Sequence, residues 1–319
     1  MAAGEFELIG RCFTGRGAGR ADVRLGVGDD AAIVAPPAGS ELVLALDTIV
    51  SGTHFPAETA PRFVGHRALA VNLSDLAAMG AEPAWALLGV TLPSGDEAWA
   101  AEFARGLDEL ARRHAVALVG GDTTRGPLAA SVMLAGTVPT GGALLRSGAR
   151  AGEDVWISGT PGDAAAGLAI LQGRLAAGGA ARDDLLRRFL LPEPRVALGI
   201  ALRGLATACI DVSDGLAGDL EKLCAASGTG AECDAALLPL SPALLDTAGT
   251  ELATRLALTG GDDYELLFTA PPAAREAIGA LAAGAACRRI GAVTSGGGVR
   301  VSGAALPRDA GHGFDHFGK

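Results

Sequence analysis

Lysine is almost missing from this sequence, and its scarcity excludes several ways of handling phosphate. Lys222 and Lys319 are its two lysines, although its 319 residues include 26 basic side chains. A Walker A loop needs a Gly-Lys-Ser or Gly-Lys-Thr step, and neither occurs. The strand lysine of protein kinases has no candidate in the first half of the chain. Arginine, backbone N–H groups or metal ions must therefore neutralise any phosphate that binds.

Other absences narrow the class of protein. The five cysteines form no Cys-x-x-Cys pair, the five histidines have no zinc-binding spacing, and the Gly-x-Ser-x-Gly motif of acyl transfer does not occur. No run of about 18 apolar residues could span a membrane, and the first ten residues are acidic where a secretory signal is basic. The net charge of −10 argues against a nucleic-acid or anionic-membrane surface. We expect a cytoplasmic globular protein with neither kind of partner.

Alternating strand-like and helix-like segments predict two α/β domains, 1–150 and 151–319, because the pattern restarts near residue 150. In the first domain, residues 42–50 are predicted as a buried strand and residues 61–79 as a helix. A capping box at Ser94-x-x-Glu97 predicts the start of a second helix, with Trp99, Phe103, Leu107 and Leu110 on its apolar face. A short strand is predicted at 116–119, with 130–138 as its neighbour. In the second domain, the glycine-rich residues 177–181 are predicted to form a loop.

Aspartates recur at the ends of apolar strands or beside glycines, and this recurrence is the strongest chemical signal in the sequence. Carboxylates are costly to remove from water, and several in one cleft repel one another unless cations join them. Magnesium binds oxygen ligands, commonly one or two carboxylates together with substrate phosphates. The pattern therefore indicates a magnesium site, with these candidates: Asp29, Asp30, Asp47, Asp122, Asp211, Asp214, Asp262 and Asp263.

Asp75 and Asp47 are the acids with the least ordinary positions. Asp75 is predicted near the C-terminal end of a helix, where the helix dipole disfavours negative charge, although it could simply face solvent or cap a neighbouring backbone. Asp47 is flanked by Leu46 and Ile49 in a strand, which leaves little room for hydration. A turn after two glycines is an ordinary alternative explanation for Asp262.

Two glycine-containing segments are candidates for binding phosphate. The segment GVGDDA at residues 26–31 matches the G-x-G-x-x-A dinucleotide pattern, but its two carboxylates would repel a pyrophosphate, so we reject that interpretation. Gly120-Gly121-Asp122 fits better, because glycine allows the backbone to approach phosphate while the acid binds metal. Arg146 is a candidate phosphate ligand, and an exposed arginine is an equally good interpretation.

These segments together resemble the thiamine-monophosphate kinase family, in the superfamily of aminoimidazole ribonucleotide synthetase and selenophosphate synthetase. The resemblance implies a two-domain PurM-like architecture of the α/β (α+β) class, with mixed sheets covered by helices and a cleft between the domains. It also implies a homodimer assembled through N-terminal strands. The matching segments include LGVGDDAA, LDTIVSGTHF, ALAVNLSDLAAMGAEPAW, GGDTTRGP, RSGARAGE, IDVSDGLAGDL, GGDDYELLFT and the terminal GFDHF.

The resemblance implies direct in-line transfer of the γ-phosphoryl group of ATP to thiamine monophosphate, assisted by several Mg²⁺ ions. By this resemblance, the metal ligands are expected to be Asp30, Asp47, Asp75, Asp122, Asp211 and Asp214, and all of them except Asp214 are expected to act in catalysis through the metal. The residues expected to contact ATP are Gly121, Asp122, Arg146 and Ser213. The residues expected to contact thiamine monophosphate are His54, Asp262 and Phe314.

The sequence departs from the family pattern at two places. Ala45 and Leu46 stand where the family often has hydroxyl residues, and Asp262 stands where it usually has glutamate. Two other enzymes of the superfamily are disfavoured alternatives. Selenophosphate synthetase would show a cysteine with a nearby lysine, and Cys12 has no lysine near it. The hydrogenase-maturation relative would show a cysteine in its C-terminal tail, where this sequence has Gly318-Lys319. A noncatalytic metal- or nucleotide-binding module and a dinucleotide oxidoreductase are the alternatives from other classes.

Overall fold

The structure, a computed structural model, describes residues 4–281 and 286–304. These residues form two compact units, and the chain passes from one to the other at residues 141 and 142, close to the break in pattern near residue 150. The first unit comprises the described residues of Met1–Leu76 and Ala81–Gly141, and the second those of Ala77–Gly80 and Gly142–Lys319. No helix in the described part of the chain is long and apolar enough to cross a membrane.

The first unit is built on a four-stranded sheet in the order β3-β6-β4-β5, in which β4 and β5 are parallel and the other pairs antiparallel. A two-stranded ribbon, β1 with β2, forms a separate small sheet, and Val23 and Val34 of the ribbon pack against the buried cluster of Trp85 and Val119. The elements are α1 (Glu5–Leu8), a π-helical turn (Ile9–Phe13), β1 (Val23–Leu25), β2 (Ile33–Val34), β3 (Ser40–Val50), α2 (Pro61–Ala78), β4 (Glu82–Leu92), α3 (Glu97–Arg113), β5 (Ala117–Arg125) and β6 (Ala129–Pro139).

The predicted capping box at Ser94 is wrong, because α3 is capped by Asp96. The Asp96 carboxylate accepts a hydrogen bond from the backbone N–H of Trp99 at 3.0 Å, which satisfies one of the unpaired donors of the first turn. The apolar face of α3 was predicted correctly: Phe103 and Leu107 are fully buried, and Trp99 stacks on Phe103. The helix therefore packs through the predicted face but begins from a different cap.

The pairing predicted for residues 116–119 is also wrong. β5 pairs with β4, while β6 lies between β3 and β4. β4 is a nearly continuous buried apolar strand, and such a run does not reveal its structure through periodicity. β5 also continues through Gly120, Gly121 and Asp122 instead of ending before them.

The second unit contains a six-stranded sheet in the order β12-β9-β11-β7-β10-β8, antiparallel except for β12 with β9. Residues 179–181, predicted as a loop, instead begin a helix. The elements are β7 (Asp154–Ser158), α4 (Asp163–Leu171), α5 (Gly179–Leu190), α6 (Val196–Ala201), β8 (Ala208–Asp211), α7 (Leu216–Ser227), β9 (Gly230–Asp234), α8 (Pro242–Thr259), β10 (Leu266–Ala270), α9 (Arg275–Gly279), β11 (Cys287–Thr294) and β12 (Gly298–Ser302), with 3₁₀ turns at Ala235–Leu237 and Pro272–Ala274.

The central strands of this sheet are buried on both faces, which explains their continuous apolar character. All five residues of β7 and of β10 are buried, and β8 is buried along its whole length. Helix α7 packs Leu216, Leu220 and Leu223 into the core beside β8. The loop after β8 is therefore held on a rigid base, and it carries Ser213 and Asp214.

Candidate active site

Asp30 lies in the segment between β1 and β2, and its side chain is exposed together with that of Asp29. The Asp29 carboxylate accepts a hydrogen bond from the backbone N–H of Asp30 at 2.8 Å. The short strand β2 follows this segment where a dinucleotide motif requires a helix, which agrees with our rejection of that motif. Two exposed carboxylates on a turn provide oxygen ligands for a cation.

Asp47 and Asp75 are brought to the same side of helix α2. The backbone N–H of Asp47 in β3 donates to the side-chain oxygen of Asn72 at 3.1 Å, and Asn72 is fully buried in α2. Asp75 follows Asn72 by three residues, so the two side chains are neighbours on the helix surface. Our sequence analysis missed Asn72, whose signal was a single amide within an apolar helix.

Asp122 lies in β5 next to Gly121, where the backbone requires glycine. Gly121 has a φ of 152°, and a Cβ there would lie 1.9 Å from the carbonyl oxygen of Leu88. Asp122 is exposed, and its partner on β4 is Gly89, which presents no side chain. The carboxylate of Asp122 is therefore open to a ligand beside a stretch of bare backbone.

Asp47 and Asp122 lie on opposite edge strands of the sheet. β3 and β5 are separated by β6 and β4, so three strand spacings of roughly 4.8 Å place the two residues about 14 Å apart along the sheet. One magnesium ion with ligand distances of about 2.1 Å cannot be bound by both side chains across that span. Within one chain, these two acids belong to different positions.

His54 is fixed just after β3. Its Nδ1 accepts a hydrogen bond from the backbone N–H of Val50 at 3.0 Å, and its carbonyl oxygen accepts from the buried Arg67 guanidinium at 3.5 Å. Acceptance by Nδ1 leaves the imidazole proton on Nε2 when the ring is neutral. The turn therefore holds His54 next to the end of β3, the strand that carries Asp47.

The structure brings Ser213, Asp214 and Asp262 together in the second unit. The backbone N–H of Asp262 donates to the carbonyl of Ser213 at 2.9 Å, and a Cβ on Gly261 would lie 2.4 Å from the same oxygen. Asp211 is buried at the end of β8, two residues before Ser213. The predicted nucleotide contact and the predicted substrate contact of this unit are thus neighbours.

The backbone is strained beside Asp262. Asp262 and Tyr264 have φ values of 69° and 52°, in the left-handed region that costs a non-glycine residue roughly 1–3 kcal/mol. The Tyr264 hydroxyl donates to the Asp262 carboxylate at 3.0 Å. Strained residues of this kind cluster at functional sites, and Tyr264, the single tyrosine of the chain, was missed by our sequence analysis.

An ion pair between the buried Asp219 and the partly exposed Lys222 supports the Ser213–Asp214 turn. One carboxylate oxygen of Asp219 accepts the backbone N–H groups of Ser213 and Asp214, both at 3.0 Å, and the other accepts from Lys222 at 2.8 Å. Lys222 also contacts the Asp214 carboxylate at 2.5 Å. Burial alone lowers the pKa of Lys222, but the carboxylates of Asp214 and Asp219 outweigh burial and raise it. The sequence signal that we missed was Asp-x-x-Lys at helical spacing.

Two further buried acids anchor the loop that carries Asp262. Asp263 accepts the backbone N–H groups of Gly162 and Ala164 at 2.6 and 3.2 Å, at the start of α4. Burial raises the pKa of Asp263 well above its ordinary value, despite these two bonds and the nearby Arg188. The loop is therefore tied to a helix N-terminus through a fully buried side chain.

Glu265 is fully buried between two guanidinium groups. Arg195 donates to both of its carboxylate oxygens at 2.6 and 2.7 Å, Arg188 donates at 2.6 Å, and the Ser158 hydroxyl donates at 2.5 Å. Burial alone raises the pKa of Glu265, but the hydrogen bonds and charges of Arg195 and Arg188 outweigh it and lower the pKa to about 2. Glu265 thus remains ionised and fixes the base of the loop.

Arg146 is exposed in a loop of the second unit that is held by Ser227. The Ser227 hydroxyl donates to the carbonyl of Arg146 at 3.0 Å and accepts from the backbone N–H groups of Gly148 and Ala149. The guanidinium is therefore presented on a fixed backbone. The remaining predicted substrate contact, Phe314, lies outside the described residues.

The donors of the candidate site suit magnesium chemically. Among residues 4–281 and 286–304, no three His, Cys, Asp or Glu side chains are grouped closely enough to hold a metal ion. Asp30 and Asp122 nevertheless expose carboxylate oxygens, the ligands that Mg²⁺ prefers. At Asp214, the ammonium of Lys222 stands where a metal cation could bind, which shows that this carboxylate accepts a positive charge.

Comparison with known proteins identifies the family. Residues 28–138 match the family described as AIR synthase related protein, N-terminal domain, and residues 150–303 match its C-terminal domain. The thiamine-monophosphate kinase of Escherichia coli K12 is 50% identical over 87% of this chain and 86% of its own length.

Solved structures agree with the sequence matches. The thiamine-monophosphate kinase of Stenotrophomonas maltophilia K279a has a TM-score of 0.85 at 49% identity, over 90% of this chain and 93% of its own. AaThiL complexed with AMPPCP and TMP has a TM-score of 0.79 at 32% identity, over 89% of each chain. These similarities confirm the expected two-domain PurM-like fold, with mixed sheets and helices. The chain belongs to the thiamine-monophosphate kinase family of AIR synthase related proteins.

Proposed function

We propose that this protein transfers the γ-phosphoryl group of ATP to thiamine monophosphate, which yields thiamine diphosphate and ADP. The observation that carries the proposal is the 50% identity to a thiamine-monophosphate kinase over 87% of the chain. The complex of AaThiL with AMPPCP and TMP supports the same pair of substrates. The adjacency of Ser213 and Asp262 in the second unit supports neighbouring nucleotide and acceptor contacts.

The proposed reaction is a direct in-line displacement at the γ-phosphorus. An oxygen of the thiamine phosphate bonds to the γ-phosphorus while the bond to the β,γ-bridging oxygen breaks, and ADP leaves with that electron pair. Phosphoryl transfer has a loose transition state, so catalysis depends mainly on alignment and charge neutralisation. A phosphate monoester has a second pKa of about 6 and is largely ionised at pH 7, so the acceptor needs no strong general base.

The chain's own residues have two tasks in this proposal: to hold cations and to orient two anions. Asp30, Asp47, Asp75 and Asp122 of the first unit and Asp211 and Asp214 of the second are the proposed magnesium ligands. Magnesium, when bound, neutralises the charge that otherwise keeps the two phosphate groups apart. Gly121, Arg146 and Ser213 orient the nucleotide, and His54 and Asp262 orient the acceptor. Tyr264 positions Asp262 through its hydroxyl.

The test is an assay with Mg-ATP and thiamine monophosphate that measures both products. We expect thiamine diphosphate and ADP in equal amounts. Orthophosphate formed from ATP with unchanged thiamine monophosphate would refute the proposed acceptor. ATP binding without turnover would favour a noncatalytic module.

The proposal includes a homodimer assembled through β3. This edge strand carries three exposed leucines, Leu42, Leu44 and Leu46, whose side chains are 50%, 64% and 66% exposed. An exposed apolar stripe on an edge strand is a template for pairing with another chain. Leu46 stands at one of the positions where the family often has a hydroxyl, so in this chain it contributes to the stripe.

A dimer would also explain why Asp47 and Asp122 lie on opposite edges of the sheet. If β3 of one copy lies beside β5 of another, Asp47 and Asp122 of different copies meet. Mixing inactive Asp47→Asn and Asp122→Asn variants should then restore about a quarter of wild-type activity, because half of the dimers are mixed and each has one intact site. Sedimentation should show the dimer, and Leu44→Glu should dissociate it. A monomeric wild type, or a mixture that stays inactive, would contradict the shared site.

A further inference from the structure

The most informative feature outside the proposed catalytic contacts is the ion pair of Asp219 and Lys222 beneath the Ser213–Asp214 turn. Lys222 is the one lysine in the described part of the chain. Its ammonium bridges two carboxylates, with Asp219 at 2.8 Å and Asp214 at 2.5 Å. A cation thus already lies at a proposed magnesium ligand.

The two carboxylates differ in how firmly they hold the lysine. The Asp219 side chain is 1% exposed and also binds two backbone N–H groups, so it is fixed and cannot lose a cationic partner without leaving a buried charge. The Asp214 side chain is 30% exposed and has solvent beside it. The bond to Asp214 is therefore the exchangeable one.

We propose that Lys222 is a resident cation of the Ser213–Asp214 turn, which holds the carboxylate of Asp214 until a divalent ion displaces it toward Asp219. This inference rests on the proposed function, because that function makes Asp214 a magnesium ligand. Before metal binds, Asp219 keeps the turn in its ligand-binding shape through its two backbone hydrogen bonds, while Lys222 neutralises the carboxylate of Asp214. When a divalent ion reaches Asp214, repulsion between the two cations moves the ammonium away.

The proposal makes Lys222 a competitor of the metal. Removing its charge should strengthen divalent-ion binding at Asp214 by about two- to fivefold, since a partly exposed charge pair contributes modestly. Lys222→Arg keeps the charge and should keep the wild-type affinity. Asp214→Asn removes the ligand, so the double variant with Lys222→Met should show no gain.

The first measurement uses Mn²⁺ alone, without nucleotide or thiamine monophosphate, and follows its binding by electron paramagnetic resonance. Tighter binding by Lys222→Met, absent from the double variant, supports the proposal. An affinity equal to or weaker than that of the wild type overturns it. Because neither substrate is present, a failed kinase assay has no bearing on this result.

The second measurement uses the wild-type chain, so it does not depend on the folding of Lys222→Met. Biosynthetic labelling with ¹³C-lysine gives two Cε signals from the two lysines, and Lys222→Arg identifies the signal of Lys222. Titration with MgCl₂ should shift that signal to saturation, and Asp214→Asn should abolish the shift. A Lys222 signal that stays fixed while Mn²⁺ binds to the wild type in a manner dependent on Asp214 would refute displacement.

Discussion

In the first unit, Asp30 and Asp122 expose their side chains to solvent, whereas in the second unit Asp219 and Glu265 are buried against cations of the same chain. The buried acids are bound to lysine, arginine and backbone N–H groups, so they stabilise the loops that carry Ser213 and Asp262. Exposed acids near one another gain nothing from their own charge and contribute repulsion. The difference separates acids that hold the fold from acids that we propose to bind a ligand.

We expect the strongest loss of unfolding free energy from Glu265→Gln. The amide leaves the guanidinium of Arg195 without its carboxylate partner and leaves Arg188 with only the more distant Asp163 at 3.8 Å, and breaking a buried pair costs about 3–5 kcal/mol of unfolding free energy. Urea unfolding should show this loss. Glu232→Gln is the matched control, because Glu232 meets Arg300 at the surface and should lose less than about 1 kcal/mol. Equal effects of the two variants would show that burial does not distinguish these acids.

Asp122→Asn should have the opposite profile. Because Asp122 is a proposed metal ligand, removing its charge is expected to lower kcat/KM by about 100- to 1000-fold. The unfolding free energy should change by less than about 0.5 kcal/mol, because the side chain is exposed. Glu102→Gln, an exposed acid on α3, serves as the control and should retain full activity. Normal phosphorylation of thiamine monophosphate by Asp122→Asn would remove Asp122 from the site.

The pH dependence of the unfolding free energy tests whether the buried Glu265 stabilises the fold as an ionised group. Glu265 has a pKa lowered from 4.5 to about 2, so its stabilising effect is complete above pH 4.5 and is lost as the pH falls toward 2. The difference in unfolding free energy between wild type and Glu265→Gln should shrink by roughly 3 kcal/mol across that window. The comparison cancels the opposite contribution of Asp263, whose pKa burial raises. A difference that does not vary with pH would show that Glu265 is not ionised.

Local patterns in the sequence were sufficient for elements that carry their own signal. The strand at β3 follows from its β-branched and apolar composition, but its predicted burial is wrong, because Leu42, Leu44 and Leu46 are exposed and Asp47 is partly exposed. The helix at α2 and the apolar face of α3 follow from apolar residues at helical spacing. The family resemblance added the site residues, and the structure places Ser213 beside Asp262. The metal-binding roles remain predictions for all six acids: Asp30, Asp47, Asp75, Asp122, Asp211 and Asp214.

What the sequence could not reveal depends on contacts between distant segments. Glu265 is held by Arg188 and Arg195, which lie 77 and 70 residues away, and no local pattern marks such a pair. The predicted pairing of residues 116–119 with residues 130–138 was wrong for the same reason, since the buried apolar strand β4, the actual neighbour of β5, carries no local signal of its partner. The Asp219 and Lys222 pair is different, because a spacing of three residues on a helix is a local signal that predicts an ion pair.

Asp30→Asn should change the unfolding free energy only slightly. Asp29 and Asp30 are adjacent exposed acids, so removing one charge should raise the unfolding free energy by a few tenths of a kcal/mol at low salt. The gain should vanish at about 0.5 M NaCl, where charges are screened over a few ångströms. Glu58→Gln, at an exposed acid with no acid beside it in the sequence, should show no gain. Destabilisation above about 1 kcal/mol would mean that Asp30 holds the fold, and the contrast between the two units would no longer include it.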